Sequence, residues 1–213
     1  MTQLARRPAQ ETSPHNLAGV LVLRAQVALF VALVICTAAM PRFLFSTDMG
    51  GVSNYGTHAT TVVPYTAGYA AAVWLLWRAA ATMGGLPGAG GVVAATRVSC
   101  CCMAANLATT FAYRTGAMWA TVHSWTAIAL AVAEFVGGVV LLRAAPRRDW
   151  RVAGTALVVL GFACLVLTYA GRLHVLFVAE VATAAGFGVA LIGAVRALGL
   201  TAETPPGSTS RRA

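Results

Sequence analysis

Six apolar stretches, 19 to 26 residues long, take up about two-thirds of the chain and leave little freedom in what it can become. They run over residues 18–40, 61–82, 92–113, 117–142, 152–170 and 174–198. A helix needs about 20 mainly apolar residues to cross the hydrocarbon core of a bilayer. None of the six shows the alternation of a membrane β-strand, and in lipid a helix satisfies its backbone groups within one segment. The expectation is therefore an all-α, polytopic membrane protein with six transmembrane helices over residues 17–198. A polar head (1–16), an outer loop (41–60) and a polar tail (199–213) remain, too little for a separate soluble domain.

Composition agrees. Apolar residues make up 59% of the chain and charged residues 10%, with a mean hydropathy of +0.75. The net charge of +9 comes from 15 basic residues, all arginine. They are not gathered on one soluble face but spread at the ends of the apolar runs, so nucleic acid is excluded as a partner. With six alternating spans, twelve arginines fall on the side of the two termini and only Arg42, Arg114 and Arg172 on the other. That asymmetry places both termini in the cytoplasm, N-in/C-in. The Arg-, Ala-, Gly- and Val-rich composition suggests a bacterial chain in the plasma (inner) membrane. A competing reading takes Arg24, the apolar stretch 25–35 and the small residues Thr37, Ala38 and Ala39 as a cleavable signal peptide. The long head and a run that reaches back to Leu17 weigh against it.

The five cysteines, Cys36, Cys100, Cys101, Cys102 and Cys164, all lie inside apolar runs and lack a CxxC metal spacing. They are expected to act as small packing residues. Neither a cofactor nor a metal is expected.

The informative residues are the titratable ones inside the runs, because such groups are costly in lipid and turn toward the bundle interior. His123 and Glu134 stand 11 residues apart on one run, three helical turns plus about 20°, and so share a face with Ala127, Ala131 and Gly138. On the last run Glu180, Ala184 and Gly188 form one stripe of small or polar residues. Ala182, Gly186, Ala190 and Ala194 form a second, so this helix should pack on two sides. His123, Glu180 and Asn106 fall at one depth, about 9 Å below the outer interface, with Tyr65, Thr66 and Tyr69 near it and Tyr169 and His174 higher. A His123–Glu180 hydrogen bond and an Arg97–Glu134 ion pair are both open at this stage.

The loop 41–60 is much the longest outward connection. Loops of this length are commonly functional, and its glycines and aromatics suit a cap folded back over the bundle. Arg42, Arg114 and Arg172 offer an anion-binding rim or, alternatively, interfacial anchors.

The stretch Phe45-Ser46-Thr47-Asp48-Met49-Gly50 directly after the first run, with six spans and a buried histidine downstream, resembles the FRAG/DRAM/Sfk-type six-helix membrane proteins and their bacterial relatives. The resemblance implies a link to lipid remodelling or distribution and singles out Ser46, Asp48 and Gly50.

The reading that follows is a lipid- or headgroup-handling protein or scaffold rather than an enzyme. Its outward polar pocket would be formed by Arg42, Arg114, Arg172, Asn106, Tyr65 and His174, with membrane lipids as partners. A homo-oligomer or a membrane-protein partner stays open. Two alternatives remain. A membrane-embedded hydrolase or transferase would use Asp48, His58, His123 or Glu180, although no hydrolase motif supports it. A proton-linked transporter would use His123, Glu134 and Glu180.

Overall fold

A computed structural model describes residues 13–45, 51–145 and 147–202. They form six long helices: α1 (Pro14–Ala39), α2 (Val62–Met83), α3 (Gly90–Thr110), α4 (Ala117–Ala144), α5 (Arg148–Tyr169) and α6 (Leu176–Ala202). Two 3-10 turns, Pro41–Phe45 and Gly51–Thr57, lie between α1 and α2. There is no strand among the described residues.

The ends follow from local chemistry. Pro14 opens α1 at a position where its missing N–H costs nothing, and Pro41 prevents the helix from continuing. Past α5, Gly171 takes the left-handed backbone (φ 66°). There the Gly171 N–H donates to the Thr168 carbonyl and the Arg172 N–H to the Leu167 carbonyl, both at 3.0 Å. These paired bonds close the helix as a Schellman motif. Several boundaries differ from the sequence reading: α1 begins inside the expected head, α3 ends three residues earlier, α5 begins four residues earlier, and α6 starts two residues later and runs four residues further than expected.

Five helices are long and apolar enough to cross a membrane: α1, α3, α4, α5 and α6. This is the make-up of a multi-pass membrane protein. The helix α2 is as long but less apolar, because Pro64, Tyr65, Thr66, Tyr69, Trp74, Trp77 and Arg78 dilute it. Its polarity is turned inward at Tyr65 (0% exposed) and Tyr69 (6%), while Val63, Trp74 and Trp77 face outward.

Neighbours in sequence pack side by side, and α6 also reaches across to α4 and α1. Small residues permit the close approaches. A methyl group on Gly68 would strike Ala32 of α1, and one on Gly186 would lie 3.0 Å from the Val158 backbone of α5. Gly188 faces Gln26 of α1, so the two small stripes read on α6 do meet two different helices. The weak seam is between α4 and α5: α5 leans on α6 and touches α4 far less. The cysteines are free; Cys36 and Cys100 direct their thiols at the carbonyls of Thr61 and Val73.

Candidate functional site

At the end of the bundle that carries the α1–α2 connection, residues 51–56 are buried although they lie outside the long helices. A buried non-helical backbone must find partners for its polar groups, and those partners come from distant segments. The Val52 N–H donates to Glu180 Oε2 on α6 at 2.7 Å. Asn54 Oδ1 accepts from the Tyr113 hydroxyl (2.7 Å) and from Arg114 Nη2 (2.6 Å) beyond α3. Thr61 Oγ1 donates to the Tyr55 carbonyl at 2.7 Å. The Tyr55 hydroxyl shares a 3.1 Å hydrogen bond with Thr37 of α1. Its ring meets Phe43 and Phe177 edge-on, at 5.5 and 6.0 Å between centroids. Burial pushes the Tyr55 phenol above its ordinary ionisation range, against a smaller opposing effect of the Thr37 hydrogen bond, which keeps it a neutral hydroxyl. The segment is thus a structured lid, as the loop's glycines and aromatics suggested.

Glu180 is the lid's anchor on α6. Glu180→Leu would orphan the Val52 N–H at a cost of about 1–3 kcal/mol, whereas Glu180→Gln keeps an acceptor oxygen. Faster amide exchange at residues 51–57 is therefore expected for the Leu variant, with near-native exchange for the Gln variant. Equal exchange in both would remove Glu180 from this role.

Below the lid, the α4–α5 seam opens into a cavity of about 150 Å³. Ala127, Ile128, Ala131, Val132 and Phe135 of α4 form one wall, and Phe162 and Leu165 of α5 the other. Its polar groups are His123, Ser124, Tyr169, Glu180 and Thr183. The mouth is lateral: Ile128, Val132 and Phe162, in the middle stretches of α4 and α5, are 38–54% exposed, and Tyr169 at the end of α5 is exposed beside them. His123 is fixed from α3, where Thr109 Oγ1 lies 3.0 Å from Nδ1, and from the turn beyond it, where the Tyr113 ring stacks at 4.7 Å.

A second, smaller cavity of about 40 Å³ lies deeper and shares Ala127, Ala131, Leu165, Glu180 and Thr183 with the first. Glu134, Asn106, Tyr69 and Val52 also border it. Glu180 therefore belongs to the lid contact, the lateral crevice and the inner cavity at once.

The structure brings His123 and Glu180 to one cavity, but the direct hydrogen bond between them is not made: His123 bonds Thr109 and Glu180 bonds Val52. The Arg97–Glu134 ion pair is not made either. Arg97 is exposed and lies over the Trp77 ring at 5.7 Å, while Glu134 points into the core. Asn106 lines the inner cavity. Tyr65 is fully buried beneath the lid, 3.5 Å from Thr110 Oγ1. His58 packs on Phe43 at 4.9 Å. His174 and Arg172 are exposed in the α5–α6 turn. Arg114 holds Asn54, and Arg42 lies over the Phe43 ring at 5.1 Å. None of these three arginines lines either cavity. Asp48, with Ser46 and Gly50, lies outside the described residues. Among the described residues, no three His, Cys, Asp or Glu side chains gather as a metal-ligand set.

Sequence reasoning missed Asn54, Thr109 and Thr183. A polar residue between two glycines (Gly51 and Gly56) was the available signal for Asn54. For the two threonines, their helical offset onto the faces of Asn106 and Glu180 was the only cue. Protein-family models, curated proteins and solved structures give no match to the chain.

Proposed function

We propose that this is a six-span protein of the plasma membrane, with both termini in the cytoplasm, that binds one part of a membrane amphiphile in the crevice between α4 and α5. The observation that carries the reading is the lateral mouth of that crevice. A cavity that opens along the helix sides, in a bundle built of membrane-length apolar helices, opens to lipid and not to water. Its apolar walls suit an acyl or prenyl chain. Its polar end offers the Glu180 carboxyl and the Thr183 and Tyr169 hydroxyls, which suits a hydroxyl- or amine-bearing group better than a bare phosphate. A volume of about 150 Å³ is that of a cavity holding a benzene-sized ring, so only part of such a molecule enters and the rest stays in the bilayer.

The six-span reading is supported by the position of α2 between α1 and α3, with its tyrosines turned to the core. Arginines concentrated at the end away from the lid support the cytoplasmic placement of the termini. A lipid role also agrees with what the resemblance of residues 45–50 implies.

Narrowing the crevice tests the proposal. Ala127→Leu adds side-chain volume to the α4 wall. In native mass spectrometry from mixed-lipid nanodiscs, the wild type is expected to retain an amphiphile that the variant binds about tenfold more weakly, a change of ~1.4 kcal/mol. Equal retention by a folded variant, or no retained lipid in the wild type, would contradict the proposal.

A further inference from the structure

The inner cavity contains an unsolved electrostatic problem. Glu134 is 6% exposed, and no hydrogen bond or ion pair reaches it among the described residues. The Asn106 side chain, 3% exposed, likewise has no hydrogen bond among them. Both border the same small space, together with Glu180 and Tyr69. No arginine or histidine lines it. A buried carboxylate demands a counter-charge or ligand, and inside a membrane bundle such a residue marks an ion or substrate site by default.

From this geometry we infer that the inner cavity is a binding site for one monovalent hard cation of the sodium class. Glu134 and the Asn106 carboxamide oxygen are its main ligands, with Glu180 and the Tyr69 hydroxyl completing the set. The donors are all oxygen, which selects hard cations over zinc, copper or iron. One Glu180 oxygen is already occupied by the Val52 N–H; with the Glu180 carboxyl protonated and Glu134 ionised, the donors carry one negative charge, which a single positive charge balances. Calcium takes six to eight oxygens, and magnesium keeps several of its waters. A cavity of about 40 Å³ has room for a stripped ion or one or two waters.

The site reaches the lid through two shared groups. Val52 forms part of the cavity wall, and the Val52 N–H is bonded to Glu180. Cation binding thus tightens the floor on which the lid rests. The main ligands Glu134 and Asn106 do not line the crevice, so sodium binding is read separately from amphiphile binding even though Glu180 borders both spaces.

Binding of ²²Na⁺ to the purified full-length protein in nanodiscs tests the inference, at constant ionic strength made up with choline chloride. The wild type is expected to show saturable, one-site binding that excess K⁺ or Ca²⁺ displaces less well than excess Na⁺. Glu134→Gln, which keeps the shape and removes the charge, is expected to lose it. Cys101→Ala, at an exposed position on α3, is expected to retain it. Should Glu134→Gln fail to fold, Asn106→Ala provides the second variant, with weakened binding expected. Absence of saturable sodium binding in the wild type would overturn the inference and leave a neutral carboxyl group with a bound water. Equal binding by a folded Glu134→Gln, or stronger displacement by Ca²⁺ than by Na⁺, would overturn it as well.

Discussion

Replacing Gly51 by valine is expected to detach the lid and to destabilise the chain by about 3 kcal/mol. Two independent costs add. Gly51 has a φ of 51°, in the left-handed region, where an L-residue loses about 1–2 kcal/mol and a β-branched one more. A Cβ there would also overlap the Glu180 carboxyl group, so the bond to the Val52 N–H must break, at about 1–3 kcal/mol. Hydrogen exchange should rise across residues 51–57, and thermal unfolding should shift downward. The two sites are coupled, so Gly51→Ala and Glu180→Ala should cost less together than the sum of the single changes. Strictly additive costs, or unchanged exchange in the valine variant, would mean that the lid is held elsewhere.

Gly161→Leu is expected to have an effect at least as large, by a different route. A Cβ on Gly161 would lie 2.9 Å from the Thr183 backbone nitrogen and 3.0 Å from the Ala179 carbonyl oxygen, and would overlap Thr183 Oγ1. Backbone atoms cannot step aside as a flexible side chain can, so α5 must separate from α6. Overpacking a tight core costs about 1–3 kcal/mol even where some relaxation is available. Since α5 is one wall of the crevice and α6 carries Glu180, loss of amphiphile binding should accompany the loss of stability. Gly91→Leu is the control: nothing lies within 4 Å of a Cβ there, and wild-type behaviour is expected. A Gly161→Leu protein with unchanged melting would show that α5 and α6 do not pack tightly at this position.

Much of the bundle was legible because lipid imposes one simple rule on length and polarity. The six runs correspond to six long helices among the described residues, although α2 is less apolar along its length than the five that could cross a membrane. Its tyrosines serve the core instead of the lipid, and a count of hydropathy cannot tell those two environments apart. The double small-residue stripe on α6 was readable for a related reason: close helix approach requires the absence of side chain, which the sequence displays directly. The expectation that His123 and Glu180 face the bundle interior, drawn from the cost of titratable groups in lipid, agrees with the cavity that both line.

Direction around the helix axis was harder. Counting along the helices sets Arg97 and Glu134 at comparable heights, yet one faces outward over Trp77 and the other inward. Depth fixes height but not azimuth, and the neighbours that fix azimuth lie on other segments. The lid shows the same limit. Its letters, Gly-Val-Ser-Asn-Tyr-Gly, also fit a solvated turn. What buries them is the supply of partners from Thr37, Tyr113, Arg114 and Glu180, contacts that span up to 128 residues of chain.

The most direct test of the central claim is photo-cross-linking in reconstituted membranes, with a diazirine-bearing lipid and peptide-level mapping. An amphiphile held at the α4–α5 seam predicts adducts concentrated on both walls, at Ser124, Ile128 and Val132 and at Phe162 and Leu165. Labelling there should exceed that at Val31 and Val34 on α1, although these are 52% and 67% exposed and Ile128 only 38%. Uniform labelling around the bundle, with no excess at the seam, would contradict the claim.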